Sequence, residues 1–159
     1  DAHYKLAELE QAGKLKAVVT QNIDGLHQDA GSQRVWELHG SVRRNRCMAC
    51  GRSYPVEYIR DSQGVPRCAC GGIVKPEVVL YEESLDAQVM EGALEDISQA
   101  DLLIIGGTSL VVYPAAGLIR YYRGKRLVLI NKSPTPYDRK ADLVLSGPIG
   151  ELLGQIQVN

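Results

Sequence analysis

The first part of the chain alternates between helical and strand-like patterns of hydrophobic positions. The opening residues have helical spacing, with apolar side chains on one face at Ala2, Leu6 and Leu9, and Gly13 closes this predicted helix. Apolar runs then predict one strand over 16–20 and, after a loop that contains glycine, a short strand over 35–38.

The same alternation resumes after Val78. Ser84 is the predicted N-cap of a helix whose apolar stripe is formed by Val89, Met90, Ala93, Leu94 and Ile97. A strand in ADLLIIGG leads to a helix with Pro114 near its start. The segments KRLVLIN and ADLVLSG have the composition of strands buried on both faces, and IGELLGQIQ predicts a closing helix.

Residues 40–76 interrupt this pattern, because they are rich in Arg, Cys and Gly and poor in apolar runs. We therefore predict an α/β fold: a Rossmann-like, doubly wound parallel sheet built from residues 1–39 and 77–159, with residues 40–76 inserted as a small separate module.

Composition narrows the protein class. The 159 residues carry a formal charge of −1, which gives no general electrostatic basis for nucleic-acid binding. With 45% apolar residues and no long apolar run, the sequence predicts a cytoplasmic globular protein without a membrane span. The chain starts at Asp1, already inside a helical pattern, so we expect a fragment or a processed chain.

The four cysteines lie close together, as Cys47-x2-Cys50 and Cys68-x-Cys70 with 17 residues between the pairs. Two short thiolate pairs on tight turns can close a tetrahedron around one Zn²⁺, and such a site leaves no open position for catalysis. We predict one structural zinc ion; two disulfides or unpaired core thiols are the alternatives.

The predicted zinc module is locally basic, with seven Arg or Lys against two acidic residues between Gly40 and Pro76. A zinc ribbon with a local balance of +5 would suit contact with nucleic acid or an acidic partner. A solvated basic surface explains the same residues equally well.

Polar side chains cluster where predicted strands end, which is where open α/β sheets bind ligands. Asn22 and Asp24 follow the first strand and can donate to or accept from an amide. The alternative is that they only form a turn or a cap. Gly107, Thr108 and Ser109 follow a later strand and suit a phosphate or ribose, or form only a turn. His39 ends the strand VWELH and has the residue type of a general base, or it is merely hydrogen-bonded.

Taken in order, the segments TQNIDGLH, ELHG, the four-cysteine module, KPEVVLYEE, GGTSLVVYPAA and LVLIN make the chain similar to the NAD-dependent protein lysine deacylases of the Sir2 (sirtuin) family, bacterial type. The resemblance implies a nicotinamide and ribose pocket at Gln21, Asn22, Ile23 and Asp24, with His39 as the base and Asn22 and Asp24 as its catalytic partners. It implies nucleotide contacts at Gly107, Thr108, Ser109, Asn131, Lys132, Ser133 and Ile149, and structural zinc at the four cysteines.

The resemblance further implies an acyl-lysine protein or peptide as substrate. Val79, Leu80 and Tyr81 would form the strand onto which the peptide adds, with Val79 and Tyr81 beside the acyl-lysine. The expected reaction uses NAD and releases nicotinamide and an O-acyl-ADP-ribose. Two other functions fit the residues, namely a non-catalytic zinc-ribbon module that binds peptides and a protein mono-ADP-ribosyltransferase that uses the same NAD site.

Two departures from the family pattern change the expectations. Tyr81-Glu82-Glu83 stands where the family has an aromatic residue, glycine and glutamate, so we expect an acidic cleft edge that favours basic peptides. The family's first strand, its Gly-Ala-Gly-x-Ser phosphate loop and its Asp-Phe-Arg motif do not occur in the sequence. We therefore expect weak NAD binding, low activity of the chain alone, and self-association through the exposed sheet edge.

Overall fold

The structure, a computed structural model, describes residues 1–158 and divides them into two compact units. Of the described residues, the first unit comprises 1–19, 26–36 and 87–158, and the second comprises 20–25 and 37–86. The predicted module 40–76 lies within the second unit. Strands β1 (Val18–Thr20) and β2 (Val35–Glu37) pair with each other, and each ends with its last residue in the second unit.

The first unit contains a three-stranded parallel sheet in the order β6 (Leu102–Gly106), β7 (Arg126–Asn131), β8 (Leu143–Ser146). Its helices are α1 (Ala2–Gln11), α2 (Leu26–Asp29), α4 (Ala87–Gln99) and α5 (Ile149–Gly154), with 3₁₀ helices at Ala115–Tyr121 and Asp138–Lys140. Gly106 pairs with Ile130, and Asn131 with Ser146, so the carboxyl ends of these strands lie at one edge. This parallel arrangement confirms the predicted α/β class.

The core of the first unit forms because β7 is the central strand. Leu127, Leu129 and Ile130 are buried, and Leu153 of α5 is 1% exposed. At about 2 kcal/mol for each fully buried large aliphatic side chain, these residues stabilise the sheet more than any surface contact does. Helix α1 packs against α5, and α4 packs against the longer 3₁₀ helix.

A buried carboxylate also holds the first unit together. Asp96 of α4 is 7% exposed and accepts two hydrogen bonds from the Arg34 guanidinium, at 2.8 and 3.0 Å. Its Oδ2 accepts a third from the indole N–H of Trp36 at 2.7 Å. Gly92, one turn earlier in α4, lets the Trp36 ring approach so closely that a Cβ would overlap it. These contacts hold α4, whose apolar stripe was predicted over 89–97, against Arg34 and Trp36.

The second unit is built on a three-stranded antiparallel sheet in the order β4 (Ser53–Pro55), β3 (Gly40–Cys47), β5 (Val74–Val78), with α3 (Val56–Arg60) following β4. The register shifts between Ser41 and Asn45, which marks an irregularity in β3. Gly40 has φ +73°, and a Cβ there would collide with the backbone carbonyl of Glu77. Only glycine fits where β3 begins against β5.

Helix boundaries differ from the sequence predictions in three places. Helix α4 begins at Ala87, so Ser84 is not its N-cap; Asp86, an equally good capping residue type, immediately precedes the helix. The segment after Pro114 is a 3₁₀ helix rather than an α-helix, and Gly117 at its centre is a poor α-helix former. The closing helix stops at Gly154, whereas the pattern predicted helix through Gln157.

Two strand predictions were also wrong. Strand β8 is not buried on both faces: Leu143 is 48% and Val144 39% exposed, because β8 is an edge strand of the first unit's sheet. Strand β5 ends at Val78, so Val79, Leu80 and Tyr81 lie beyond the strand predicted for them. Among the helices of residues 1–158, none combines the length and apolar character needed to cross a bilayer.

Candidate functional site

The loop after β1 is held in place, within the second unit, by strand β3 and by Leu38 in the turn that precedes β3. The backbone N–H of Leu38 donates to the carbonyl of Thr20 at 2.9 Å, and that of Val42 donates to the carbonyl of Ile23 at 3.0 Å. Arg43 Nε donates to the carbonyl of Asp24 at 3.0 Å. The backbone of residues 20–25 is therefore fixed by its neighbours, while the side chain of Asn22 is exposed.

His39 lies beside this loop, with its Nδ1 3.1 Å from the carbonyl oxygen of Gln21. A carbonyl oxygen can only accept, so Nδ1 carries the hydrogen and the neutral ring keeps its lone pair on Nε2. The structure thus brings the predicted base to the predicted nicotinamide loop. The contact also fixes which ring nitrogen can take a proton.

The segment after β5 is hydrogen-bonded to the backbone of the same histidine. The backbone N–H of Val79 donates to the carbonyl of His39 at 3.0 Å. Leu80 is 54% exposed and Tyr81 is fully exposed, so both side chains are accessible. The three residues predicted to bind peptide therefore begin beside His39, without regular secondary structure at Val79 and Leu80, and enter a turn at Tyr81.

That turn is closed by Glu83, which the sequence did not single out. The backbone N–H of Glu83 donates to the carbonyl of Leu80 at 3.1 Å, and the Glu83 carboxylate accepts from the backbone N–H of Leu80 at 2.8 Å. Lys75 Nζ lies 3.3 Å from the same carboxylate. The Leu80 N–H, followed by Lys75, lowers the pKa of Glu83. Glu82, which lies within this turn just before Glu83, has a positive backbone φ of +70°.

In the first unit, a second set of predicted residues meets at the carboxyl edge of the parallel sheet. Asn131 Nδ2 donates to the carbonyl of Thr108 at 2.9 Å and to that of Ser133 at 3.1 Å. Asn131 thereby ties the loop after β6 to the loop after β7. Gly107, with φ +65°, donates its N–H to the carbonyl of Ile130 at 3.1 Å.

The remaining nucleotide-contact predictions lie around this edge. Ile149 packs over the end of β6, where a Cβ on Gly106 would overlap it. Ser109 and Lys132 are exposed, and Leu110, which is buried, holds φ +55°. A left-handed non-glycine residue next to a glycine-containing loop is the kind of backbone strain that accompanies binding loops. Nothing in the pattern of hydrophobic positions pointed to Leu110.

The four cysteines form one cluster in the second unit. Their Sγ atoms lie within 4.8 Å of one another, and Cys47–Cys70 and Cys50–Cys68 are each separated by 3.6 Å. All four thiols are free. A tetrahedral Zn²⁺ with bonds of about 2.3 Å separates its sulfur ligands by roughly 3.8 Å, so the cluster fits the ion. The four cysteines are positioned to bind zinc, as predicted.

The closely spaced sulfurs of the cluster also favour binding of a cation. The backbone N–H of Cys70 and then the Tyr54 hydroxyl lower the pKa of Cys68 to about 6. The backbone N–H of Cys50 is the main cause that lowers the pKa of Cys47. For Cys70 the backbone N–H of Gly72 acts in the lowering direction, but the neighbouring sulfurs outweigh it and raise the pKa to about 11. Thiolates this close repel one another, and a divalent cation removes that repulsion.

Tyr54 is a residue of this site that the sequence did not indicate. Its hydroxyl donates to Cys68 Sγ at 2.9 Å, and its ring packs against the buried cluster of Cys47, Cys68 and Val74. The pairing of Tyr54 with Asn45 in β3 places the ring there. Only the strand register shows this contact, since spacing along the chain does not.

Comparison with known proteins gives consistent matches over nearly the whole chain. The model of the Sir2 family matches residues 1–114. An NAD-dependent protein deacetylase of Clostridium perfringens (strain 13 / Type A) is 66% identical over 158 residues, which are 98% of this chain and 65% of that protein. This chain thus spans a little less than two thirds of that relative.

Solved structures agree with the sequence match. Sir2 with a p53 peptide and NAD⁺ has a TM-score of 0.89 at 41% identity, covering 97% of this chain and 67% of that one. Sir2 in complex with the inhibitor EX-527, 2'-O-acetyl-ADP-ribose and a deacetylated p53 peptide has a TM-score of 0.89 at 41% identity, covering 97% of this chain and 68% of that one. Since the family model covers most of its length and the sequence identity is this high, the chain belongs to the Sir2 family.

Proposed function

We propose that the protein carrying this chain is an NAD-dependent protein lysine deacetylase or deacylase of the bacterial sirtuin type. The observation that carries the proposal is the contact of His39 Nδ1 with the Gln21 carbonyl at 3.1 Å, which leaves Nε2 as the proton acceptor. The similarity to an NAD-dependent protein deacetylase and to a Sir2 structure with NAD⁺ and a p53 peptide supports it. The substrate is then an acyl-lysine protein or peptide in the cytoplasm.

In this proposal bound NAD would supply the ADP-ribosyl group that takes the acyl group from lysine; nicotinamide would be the leaving group, and one water would be consumed to free the lysine amine. His39 Nε2 accepts the proton of a ribose hydroxyl, and the Gln21 carbonyl keeps the ring in the required tautomer. Asn22 and Asp24 orient the nicotinamide and its ribose, with Gln21 and Ile23 on the same fixed loop. The zinc ion takes no part in bond making and stabilises the second unit.

We place the nucleotide contacts of the first unit on the loops after β6 and β7, which Asn131 links by hydrogen bonds. Gly107, Thr108 and Ser109 bind ribose and phosphate, because small residues let backbone N–H groups approach a phosphate closely. Asn131 holds that loop through the Thr108 carbonyl, and with Lys132 and Ser133 it binds the adenosine ribose. Ile149 contacts the adenine.

The peptide contacts use the accessible segment after β5. Val79 and Tyr81 lie beside the acyl-lysine, and the backbone of Leu80 pairs with the peptide. Glu82 adds an exposed carboxylate at the end of this segment, which favours basic peptides. Self-association through the sheet edge stays a prediction.

The test is nicotinamide release from an acetyl-lysine peptide by the protein as the organism makes it. We expect His39→Ala to lower the rate at least a hundredfold, the scale of a lost general base, with zinc content unchanged. His3→Ala, which removes a histidine from α1, is the matched control and should keep the wild-type rate. Undiminished release by His39→Ala would refute the proposed role of the base.

Product analysis separates the other two functions. An O-acyl-ADP-ribose in equal amount to the nicotinamide supports deacylation. ADP-ribose attached to a protein would point instead to ADP-ribosyl transfer. Peptide binding without any nicotinamide release would point to a non-catalytic binding module.

A further inference from the structure

The two buried sulfurs of the cysteine cluster differ from the two exposed ones in what can hydrogen-bond to them. Cys50 and Cys70 are exposed, so water reaches their sulfurs. Cys47 and Cys68 are 1% and 4% exposed, and only protein groups can reach theirs. Cys47 Sγ accepts from the backbone N–H of Ala49 at 3.4 Å. Cys68 Sγ accepts from the backbone N–H of Cys70 and also from the Tyr54 hydroxyl, at 2.9 Å.

The Tyr54 ring is held so that its hydroxyl keeps this position. Tyr54 is paired with Asn45, two residues before the ligand Cys47. The rings of Tyr54 and Tyr58 lie 4.3 Å apart. The Tyr58 hydroxyl does not donate to a sulfur. It donates to the backbone carbonyl of Arg67 at 2.5 Å, and Arg67 directly precedes Cys68 in the sequence. The two tyrosines therefore share one ring contact, but only the Tyr54 ring packs against the cysteine cluster and only its hydroxyl donates to a sulfur.

A zinc ion with four thiolate ligands carries two excess negative charges, and a buried sulfur is costly without a donor. A hydroxyl on the sulfur reduces its electron donation slightly, but it also neutralises part of the buried charge and fixes the direction of the ligand. Groups that orient metal ligands in this way typically contribute 10- to 100-fold in metal affinity, so the second effect is expected to dominate.

We propose that Tyr54 is a positioning residue of the zinc site, whose hydroxyl adds a side-chain donor to the buried Cys68 sulfur and so controls how firmly the metal is retained. The proposal concerns metal retention and is independent of the deacetylase activity. Its measurements need neither NAD nor peptide, so they stand even if the activity proposed above is refuted.

The first measurement is zinc affinity of the zinc-loaded chain in competition with a chromophoric chelator. We expect Tyr54→Phe to weaken zinc binding about tenfold or more. Tyr58→Phe removes one hydroxyl from the same ring pair and should stay within about twofold of wild type.

The second measurement is the absorption of the Co²⁺-substituted chain, which reports on the sulfur itself. A thiolate that loses a hydrogen bond is a better electron donor, so the sulfur-to-cobalt charge-transfer band should move to lower energy in Tyr54→Phe and stay in place in Tyr58→Phe. A weaker site with an unmoved band in Tyr54→Phe, unchanged zinc affinity, or equal losses in both variants would overturn the proposal.

Discussion

Glu82 is the residue whose backbone makes the sharpest stability prediction. It occupies the third position of the turn closed by the Glu83 N–H and the Leu80 carbonyl, with φ +70°. Positive φ at this position is normally supplied by glycine, because a Cβ crowds the following carbonyl. The Glu82 side chain is exposed, so Glu82→Gly tests the backbone almost alone.

The expected gain follows from two opposing terms. A left-handed non-glycine residue costs roughly 1–2 kcal/mol, and replacing it by glycine removes that cost. Glycine also destabilises the folded state by about 0.5–1 kcal/mol, because it increases the conformational freedom of the unfolded chain. Loss of an exposed carboxylate changes stability by less than about 0.5 kcal/mol. The two terms leave a net gain of about 0–1.5 kcal/mol, and the middle of that range, roughly 0.5–1 kcal/mol, is the stabilisation that we expect for Glu82→Gly.

Amide hydrogen exchange of the zinc-loaded chain measures this locally. The Glu83 amide, which closes the turn, should gain about two- to fivefold in protection in Glu82→Gly, after correction for intrinsic exchange rates. Glu82→Ala is the matched control, because it removes the carboxylate and keeps the Cβ. Equal protection in the two variants would show that the charge, and not the backbone, limits the turn, and reduced protection in Glu82→Gly would refute the strain.

Two further predictions concern stability. Asp96→Asn should lower the free energy of unfolding by about 2 kcal/mol, measured by urea titration followed through Trp36 fluorescence, because it removes the charge to which three N–H groups donate. The cost is limited because Arg34 is 52% exposed and recovers part of its solvation. The exposed Glu91→Gln on the same helix should have little effect. Because the pKa of Glu83 is lowered in the folded chain, its stabilisation is complete above the unfolded value near 4.5 and is lost as the pH falls through the lower folded value. The stability difference between wild type and Glu83→Gln should therefore be constant above about pH 4.5 and shrink as the pH falls further, and a difference that stays constant into the acid range would contradict this assignment.

Features that follow from motif spacing, or from the shared edge at which parallel strands end, were predictable. The zinc cluster needed only two short cysteine pairs, since each turn places its own two sulfurs. Polar residues at strand ends were recognised because parallel strands collect their carboxyl ends at one edge, and Asn131 indeed contacts the loop of Thr108. His39 was placed beside Gln21 by the same logic.

Features that depend on tertiary neighbours were not predictable in this way. Apolar composition alone could not distinguish the central strand β7 from the edge strand β8, whose Leu143 is half exposed. The hydroxyl of Tyr54 reaches Cys68 only because β4 pairs with β3 in one register. Two good N-cap residue types precede α4, and the propensity for capping does not decide between Ser84 and Asp86.

Glu82 connects the two kinds of evidence. The family resemblance assigns a glycine to this position, and the structure independently assigns it φ +70°. A shift of the alignment by one residue would place the glycine at Tyr81, which lacks a positive φ, or at Glu83, whose carboxylate holds the Leu80 N–H and Lys75. Neither alternative fits, so the glutamate stands in a glycine conformation. The chain therefore accepts backbone strain at the end of the peptide segment, and an exposed carboxylate accompanies that strain where the substrate is proposed to bind.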